Sequence, residues 1–151
     1  MNSNFALTGL RAAPPAQDKF MVTALLVEDN KFFRQSFKQI LNDRFPLLMV
    51  IESGTCRETL QMCLDCLPDL IFADINLPDG SGLDLSLTLR SLYPKVIILV
   101  LTSYDLPEYR QAASANGANY FFPKDSNHEV ILSMVESELG KEINGLKRAP
   151  I

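Results

Sequence analysis

The segment DLIFAD, residues 69–74, decides the fold that we predict for this chain. Four apolar residues follow Asp69 without a polar interruption, and Asp74 comes directly after them. A short, continuous apolar run is typical of a parallel strand that is buried on both faces. A carboxylate at the end of such a strand is costly to bury unless it is paired or binds a cation. The segment therefore predicts a buried strand that presents a functional acid.

Similar apolar runs lie on both sides of this segment, and helix-length amphipathic stretches separate them. We predict strands at 21–27, 47–51, 69–73, 95–101 and 119–122. In the first helix, which runs to about Arg44, the apolar face is Phe33, Phe37, Ile40 and Leu41. The next helix is predicted at about 55–67. Strands that alternate with helices in this way indicate an α/β fold with a doubly wound parallel sheet.

The stretch between the third and fourth strands has a misleading pattern. Leucines at positions 83, 85, 87 and 89 alternate with polar residues, which by periodicity favours a strand. We predict a helix instead, because two parallel strands need a crossover between them and one of this length is usually helical. Leu85, Leu89 and Leu92 would form its apolar face.

The last two helices carry capping signals. Asp105 with Glu108, and Ser126 with Glu129, have the spacing of a capping box or its Asp variant. The final helix is predicted to end near Gly140, a plausible C-cap.

Length and charge limit the possible functions. The 151 residues suit one domain at 21–140, with a flexible N-terminal extension at 1–20 and a tail or linker at 141–151. There are 14 basic and 18 acidic residues, and a net charge of −4 is a poor match for DNA phosphates. The apolar runs fall far short of the ~20 residues that a bilayer needs. Because no basic region precedes the first apolar stretch, a signal peptide is not expected and we predict a cytoplasmic location.

Cys63 and Cys66 form a single C-x-x-C pattern, which suits a redox motif or half of a zinc site. Core packing is the favoured interpretation, because no second cysteine or histidine pair completes a metal site. The predicted apolar stripe of this helix consists of Cys56, Leu60, Cys63, Leu64 and Leu67.

Polar residues with related chemistry follow the predicted strands. Glu28 and Asp29 follow the first strand, Asp74 the third, Thr102 and Ser103 the fourth and Lys124 the fifth. Ligands bind outside the carboxyl ends of the strands in such sheets, so these side chains are expected to converge. Clustered carboxylates suit Mg²⁺, which completes its shell with water and phosphate. A carboxylate can also accept a phosphoryl group and form an aspartyl-phosphate.

These residues lie in motifs that resemble the response regulator receiver family over about residues 21–140. The motifs are LLVED at 25–29, DINLPDGSG at 74–82, LTS at 101–103 and GANYFFPKD at 117–125. The resemblance implies a flavodoxin-like (βα)5 fold with a five-stranded parallel sheet in the order 2-1-3-4-5. Lys124 is followed by Asp125, a variant typical of regulators with a helix-turn-helix output.

The resemblance also implies a role for each site residue. Asp74 is the expected phosphoacceptor, and Mg²⁺ would be held by Glu28, Asp29, Asp74 and the backbone carbonyl of Asn76. The residues implied in phosphoryl binding or switching are Thr102, Ser103, Lys124 and Phe121. The phosphoryl donor would be a sensor histidine kinase or a histidine phosphotransfer protein, and the signal would pass to an output domain or effector. Formation of a homodimer is also compatible with the resemblance. No catalysis beyond self-phosphorylation and self-dephosphorylation is expected.

Other interpretations stay open at this point. Haloacid dehalogenase phosphatases also use an Asp nucleophile, Mg²⁺ and Lys, but their Asp-x-Asp motif is expected after the first strand, where this chain has Asp29-Asn30-Lys31. A receiver-like module could also bind partners without phosphorylation. Taken singly, Asp29 and Asn30 could cap a helix, and Asp79-Gly80 could form a turn.

Overall fold

The computed structural model describes residues 22–147, in which strands and helices alternate. The main strands are β1 (Thr23–Val27), β2 (Met49–Ser53), β3 (Leu70–Asp74), β6 (Ile97–Thr102) and β7 (Tyr120–Pro123), and the short strands β4 (Asn76–Leu77) and β5 (Gly80–Ser81) follow β3. The helices are α1 (Lys31–Arg44), α2 (Cys56–Asp65), α3 (Gly82–Leu92), α4 (Pro107–Ala115) and α5 (His128–Lys147). The N-terminal extension predicted at 1–20 and residues 148–151 lie outside the described residues.

The five main strands form one parallel sheet in the order β2-β1-β3-β6-β7. Counted as five strands, this is the predicted order 2-1-3-4-5, so the predicted fold is confirmed. Strands β4 and β5 form a separate antiparallel hairpin around Asp79, where the sequence indicated only a turn. Since the main strands are parallel, their carboxyl ends meet at one edge of the sheet, and this edge carries the candidate site.

The sheet divides the core into two clusters, because successive side chains of a strand point to opposite faces. In β1, Ala24 and Leu26 belong to the cluster under α1 and α5, whereas Leu25 and Val27 belong to the cluster under α2, α3 and α4. The helical residues of the first cluster include Phe37, Leu41, Ile131, Leu132 and Val135. Those of the second include Cys63, Leu85, Leu89 and Ala113.

The stretch of alternating leucines is helical, as predicted from the need for a crossover. Leu85 and Leu89 are buried, but Leu92 is exposed and does not extend their face. Cys63 is buried and Cys56 packs against the same cluster, which confirms that both are packing residues. Leu64 and Leu67 are exposed, so the predicted stripe of α2 is correct only in its first part.

The predicted capping box at Asp105 is wrong. Helix α4 begins at Pro107, whose fixed φ suits the first helical position, and the residue before it, Leu106, makes no side-chain cap. Asp105 forms an ion pair with Arg110 instead, at 2.9 Å between Oδ1 and Nη2.

The cap of α5 lies one residue later than predicted. The Asn127 side chain accepts a hydrogen bond from the N–H of Glu129 at 2.8 Å, whereas the N–H of Ser126 bonds back to the carbonyl of Pro123 at 3.0 Å. The predicted end near Gly140 is also wrong, because α5 continues to Lys147. Gly140 does not adopt the left-handed conformation that this cap requires; among the described glycines only Gly117 has a positive φ. Within residues 22–147, no helix has the length and apolar character that a membrane crossing requires.

Candidate functional site

Three carboxylates meet at the carboxyl edge of the sheet, as the sequence predicted. Glu28, Asp29 and Asp74 each place one oxygen within 4.8 Å of the others. They converge because β1 and β3 are neighbouring parallel strands that end side by side. Glu28 and Asp74 are buried, whereas Asp29 is exposed and leaves the cluster open to solvent on its side.

Lys124 brings a positive charge into this cluster. Its Nζ lies 2.5 Å from Oε1 of Glu28 and 3.4 Å from Oδ2 of Asp74, and its side chain is only 15% exposed. The other oxygen of Glu28, Oε2, accepts the N–H of Asn30 at 2.9 Å. Both oxygens of the buried Glu28 therefore have a partner, and one cation serves two acids.

The surroundings of Glu28 and Asp74 disfavour the charged forms of both carboxylates. Burial raises the pKa of Asp74 above its usual value, and the nearby Lys124 only partly opposes this effect. Burial likewise raises the pKa of Glu28, against the lowering effect of the hydrogen bond from Lys124, and the charge of Asp74 raises it further. An additional cation would relieve this cost. A set of carboxylate oxygens with one open side fits Mg²⁺, which keeps several waters.

The backbone of Glu28 is held on both sides. Its N–H donates to the carbonyl of Ser53 at 2.9 Å, and its carbonyl accepts a hydrogen bond from Nη1 of Arg34 at 2.6 Å. The same Arg34 side chain pairs through Nε with Glu52 at 2.8 Å. No sequence pattern identifies Arg34, because its role depends on a contact between α1 and the loop before it.

The loop after Asp74 is anchored to α2. The two carboxylate oxygens of Asp79 accept the N–H groups of Cys56 and Arg57, at 2.8 and 2.9 Å. These two bonds, led by that from Arg57, lower the pKa of Asp79. Asp79 therefore does more than form a turn. The exposed Asn76 lies two residues beyond Asp74 in the same hairpin, and the metal-binding role of its carbonyl stays a prediction.

Thr102 is fully buried at the end of β6 and is joined to the segment that carries Lys124. Its carbonyl accepts the N–H of Lys124 at 2.7 Å, and its hydroxyl oxygen accepts the N–H of Tyr104 at 3.0 Å. Ser103 is exposed beside it. The backbone bond fixes the position of Thr102 relative to Lys124, and the hydroxyl, which accepts from Tyr104, keeps a proton that it can donate.

Phe121 lies apart from the acids. It is half-buried in β7, where it pairs with Val100 in the cluster under α4. The guanidinium of Arg110, a residue of α4, lies over the ring of Phe121, 4.6 Å from the centroid. An ion pair with Asp105, which precedes α4, holds this guanidinium in place. The ring is thus held at the α4 surface by a cation whose contact with Phe121 no sequence pattern predicts.

Phe33 is the second residue whose place in the site was missed. The sequence assigned it to the apolar face of α1, and it does pack against the core there. Its ring also lies beside Lys124, whose Nζ is 4.5 Å from the ring centroid. No pattern in the sequence indicates this contact, since the two residues are far apart along the chain.

The chain is similar to known proteins of one family. Residues 24–136 match the family model described as the response regulator receiver domain. The chain is 33% identical over 105 residues to the DNA-binding transcriptional activator DevR/DosR of Mycobacterium tuberculosis, covering 70% of this chain and 48% of that protein. It is 32% identical over 122 residues to the nitrate/nitrite response regulator protein homolog of Haemophilus influenzae, covering 80% and 57%. The chain therefore spans about half the length of the curated relatives that it matches.

Solved structures show the same fold. A CheY-like response regulator receiver domain protein from Methanospirillum hungatei superposes with a TM-score of 0.74 at 26% identity, covering 83% of this chain and 98% of that one. A LuxR-family two-component response regulator from Aurantimonas superposes with a TM-score of 0.72 at 21% identity, over 80% of this chain and 86% of that one. At 21% identity the second likeness supports the fold alone.

Proposed function

The chain belongs to the response regulator receiver family, and we propose that its acidic site takes a phosphoryl group onto Asp74 from a histidine kinase or histidine phosphotransfer protein. The observation that carries the proposal is the position of Lys124, whose ammonium lies within reach of both Asp74 and the buried Glu28. Phosphoryl transfer depends on positioning and on neutralising charge, and this arrangement supplies both. The family match favours this function over that of a haloacid dehalogenase phosphatase.

In the proposed step, a carboxylate oxygen of Asp74 forms a bond to phosphorus while the phosphorus–nitrogen bond of the donor phosphohistidine breaks. The electron pair of that bond returns to the imidazole nitrogen of the donor. Lys124 lies where its N–H groups can move from carboxylate oxygens to phosphoryl oxygens, which carry more negative charge. The exposed side of the cluster, at Asp29, leaves the donor an approach.

The carboxylates of Glu28, Asp29 and Asp74 and the carbonyl of Asn76 would hold Mg²⁺. When bound, Mg²⁺ neutralises charge on the transferring phosphoryl group. Glu28 differs from Asp29 in that both of its oxygens already have partners within the protein. We infer that Asp29, which is exposed, offers the more accessible oxygen, and that Glu28 acts mainly through the charge it adds to the cluster.

Labelling with a small phosphoryl donor tests the proposal. Incubation with acetyl phosphate and Mg²⁺ should add one phosphoryl group to the wild-type chain and none to Asp74→Asn, as measured by intact-mass spectrometry. Asp84→Asn is the matched control, because Asp84 is exposed on α3 outside the acid cluster, and it should label like the wild type. Equal labelling of Asp74→Asn and the wild type would contradict the assignment. A chain that takes no label at all would support the alternative of a phosphorylation-independent interaction module.

The signal is proposed to pass from Thr102 to Phe121. An aspartyl-phosphate adds acceptor oxygens beside Asp74, and the Thr102 hydroxyl would turn to donate to them. This movement would let Phe121 turn from α4 towards Thr102, which changes the surface formed by α4, β7 and α5. A phenylalanine has no hydroxyl to hold it at the surface, so we infer that the cation–π contact with Arg110, together with packing against the core, keeps it there.

We therefore expect Arg110→Ala to increase the inward population of Phe121 before any phosphorylation. A lost cation–π contact at a partly exposed site is worth about 0.5–1 kcal/mol, or roughly a two- to fivefold change in the ratio of the two positions. ¹⁹F NMR of fluorophenylalanine at position 121, with and without beryllofluoride and Mg²⁺, would measure the two populations. A spectrum that Arg110→Ala leaves unchanged would remove Arg110 from the switch, and one that beryllofluoride leaves unchanged would remove Phe121.

The output of the module is proposed to be transcription. The relative from M. tuberculosis is named as a DNA-binding transcriptional activator, and this chain matches about half of its length. With a net charge of −4, the chain is a poor candidate to bind DNA by itself. The DNA contacts would then belong to an output domain or to an effector protein that reads the switched surface.

A further inference from the structure

We propose that Phe33 is a positioning residue, whose ring face holds the Lys124 ammonium against Glu28 and Asp74. The Nζ of Lys124 lies 4.5 Å from the ring centroid, within the range of a cation–π interaction. The face of an aromatic ring carries partial negative charge. Since the Lys124 side chain is only 15% exposed, water competes weakly with the ring for the ammonium. The inference rests on the proposed phosphoryl transfer for its consequence, but not for its geometry.

The position of the Phe33 ring is fixed by the core. It stacks on Phe37 with 5.7 Å between centroids and 10° between planes. Phe37 is buried and meets Phe72 of β3 edge-on at 5.3 Å. This row of rings connects the middle of the sheet with the surface of the site. Phe33 is therefore a fixed surface, whereas lysine has a flexible four-carbon stem and an ammonium that rotates freely.

An aromatic ring suits this position because of the bonds that it does not make. A carboxylate or carbonyl in place of Phe33 would accept N–H groups strongly and compete with phosphoryl oxygens for them. A ring face attracts the ammonium as a whole and leaves its donors free to point at oxygen acceptors. Lys124 is thus held on two sides, by the acids and by the ring, and the ring does not compete when its N–H groups pass from the carboxylates to the phosphoryl group that arrives on Asp74.

The chain offers a matched control pair at the other end of α1. The guanidinium of Arg44 lies over the ring of Phe45, 5.7 Å from its centroid. This pair is also a cation over an aromatic ring, but it lies at the C-terminal end of α1, whereas the acids lie near the N-terminal end of that helix. Changes to the Phe45 ring should therefore leave the reaction at Asp74 unaffected.

The first experiment tests the geometry without metal or phosphate. Protons above a ring face are shifted upfield by its ring current, so the ε-methylene protons of Lys124 should resonate upfield of those of the other lysines in a ¹³C-edited NMR spectrum of the full chain. Phe33→Leu should remove the shift and Phe33→Tyr should keep it. An unshifted Lys124 resonance in the wild type would overturn the proposal whatever the phosphorylation results.

The second experiment tests the consequence. Mono-, di- and trifluorophenylalanine at position 33 progressively withdraw charge from the ring face while nearly preserving its size, so the fold should persist even if Phe33→Leu does not fold. The rate of labelling of Asp74 by acetyl phosphate at saturating Mg²⁺ should fall with each fluorine, by about three- to tenfold overall. The same fluorinated residues at position 45, in place of Phe45, should leave the rate of labelling unchanged.

The two ways to fail are distinguishable. Suppose that the wild type is labelled at Asp74 but that fluorination at position 33 changes the labelling rate no more than fluorination at Phe45. The ring then does not act through its charge distribution, and the proposal is wrong. If the wild type takes no label, the proposed phosphoryl transfer fails instead, and the NMR shift alone decides whether Phe33 positions Lys124.

Discussion

Gly82→Ala should lower the free energy of unfolding by about 3 kcal/mol or more, because overpacking against backbone cannot be relieved by a side-chain rotation. A Cβ on Gly82 would lie 2.0 Å from the carbonyl oxygen of Asp74 and 2.8 Å from its carbonyl carbon. The two segments are drawn this close by the hydrogen bond from the N–H of Gly82 to the carbonyl of Ile75, at 2.7 Å. Urea denaturation followed by circular dichroism would measure the loss, since the chain has no Trp to report by fluorescence.

The same substitution should also impair the proposed reaction, since the displaced backbone is that of Asp74, the proposed phosphoacceptor. We expect labelling by acetyl phosphate to fall even at low temperature, where enough of the variant is folded to measure. Gly140→Ala is the matched control. A Cβ there meets nothing within 4 Å, and alanine favours the helix interior by about 0.5–1 kcal/mol, so this variant should be slightly more stable. If Gly82→Ala were as stable as Gly140→Ala, the close approach of Gly82 to Asp74 would be wrong.

Lys124→Met should destabilise the fold at neutral pH by about 3–5 kcal/mol, the usual cost of removing one partner of a buried ion pair. Glu28 is 1% exposed and Asp74 is 7% exposed, so both carboxylates would lose their nearest cation without gaining access to water. Methionine retains most of the length of the lysine side chain, which limits the contribution from lost packing.

The loss should depend on pH with a defined sign. Burial raises the folded-state pKa of Glu28 and of Asp74, and the removal of Lys124 takes away an influence that lowers both. An acid with a raised folded-state pKa binds more protons in the folded state, so its unfavourable contribution grows as the pH rises through that pKa and disappears when the pH falls below the unfolded value. The difference in stability between Lys124→Met and the wild type should therefore be largest at neutral pH and should shrink towards pH 4.

Lys38→Met is the control for this series, because Lys38 pairs with Glu52 at 2.9 Å in a site where both side chains are about one-third exposed. Such pairs contribute about 0–1 kcal/mol, so this variant should stay close to the wild type at every pH. Added Mg²⁺ should restore part of the stability of Lys124→Met if the acids hold the ion as proposed. A loss in Lys124→Met that does not vary between pH 4 and pH 7 would show that packing, and not the charge of Glu28 and Asp74, is responsible.

The parallel sheet and the convergence of the three carboxylates were predicted well, because both follow from the apolar strands and the residues directly after them. A continuous apolar run such as 69–74 is typical of a buried strand, and parallel strands bring the acids that follow them, Glu28, Asp29 and Asp74, to one edge of the sheet. Helix α3 was also predicted correctly, because parallel strands need a crossover between them; hydrophobic periodicity alone would have predicted a strand there.

The errors arose where one local signal competes with another. Pro107, at the first turn of α4, determines where that helix begins, so Asp105 is free to pair with Arg110. Gly140 resembles a C-cap in sequence, yet α5 continues through it. Two residues around the site were missed. Phe33 contacts Lys124, which is distant along the chain, and Arg34 of α1 contacts the carbonyl of Glu28 in the loop before that helix. No spacing rule reports such contacts.

The partition of the core by the sheet has a consequence for how a protein of this kind can diverge. Phe33 and the rings beneath it lie in the cluster under α1 and α5, whereas Phe121 lies in the cluster under α4. Effects of substitutions in separate clusters are expected to add without coupling, since such residues share no packing partners. The packing around Phe33 and the packing around Phe121 can therefore change almost independently as sequences diverge, although strands of the same sheet contribute to both clusters.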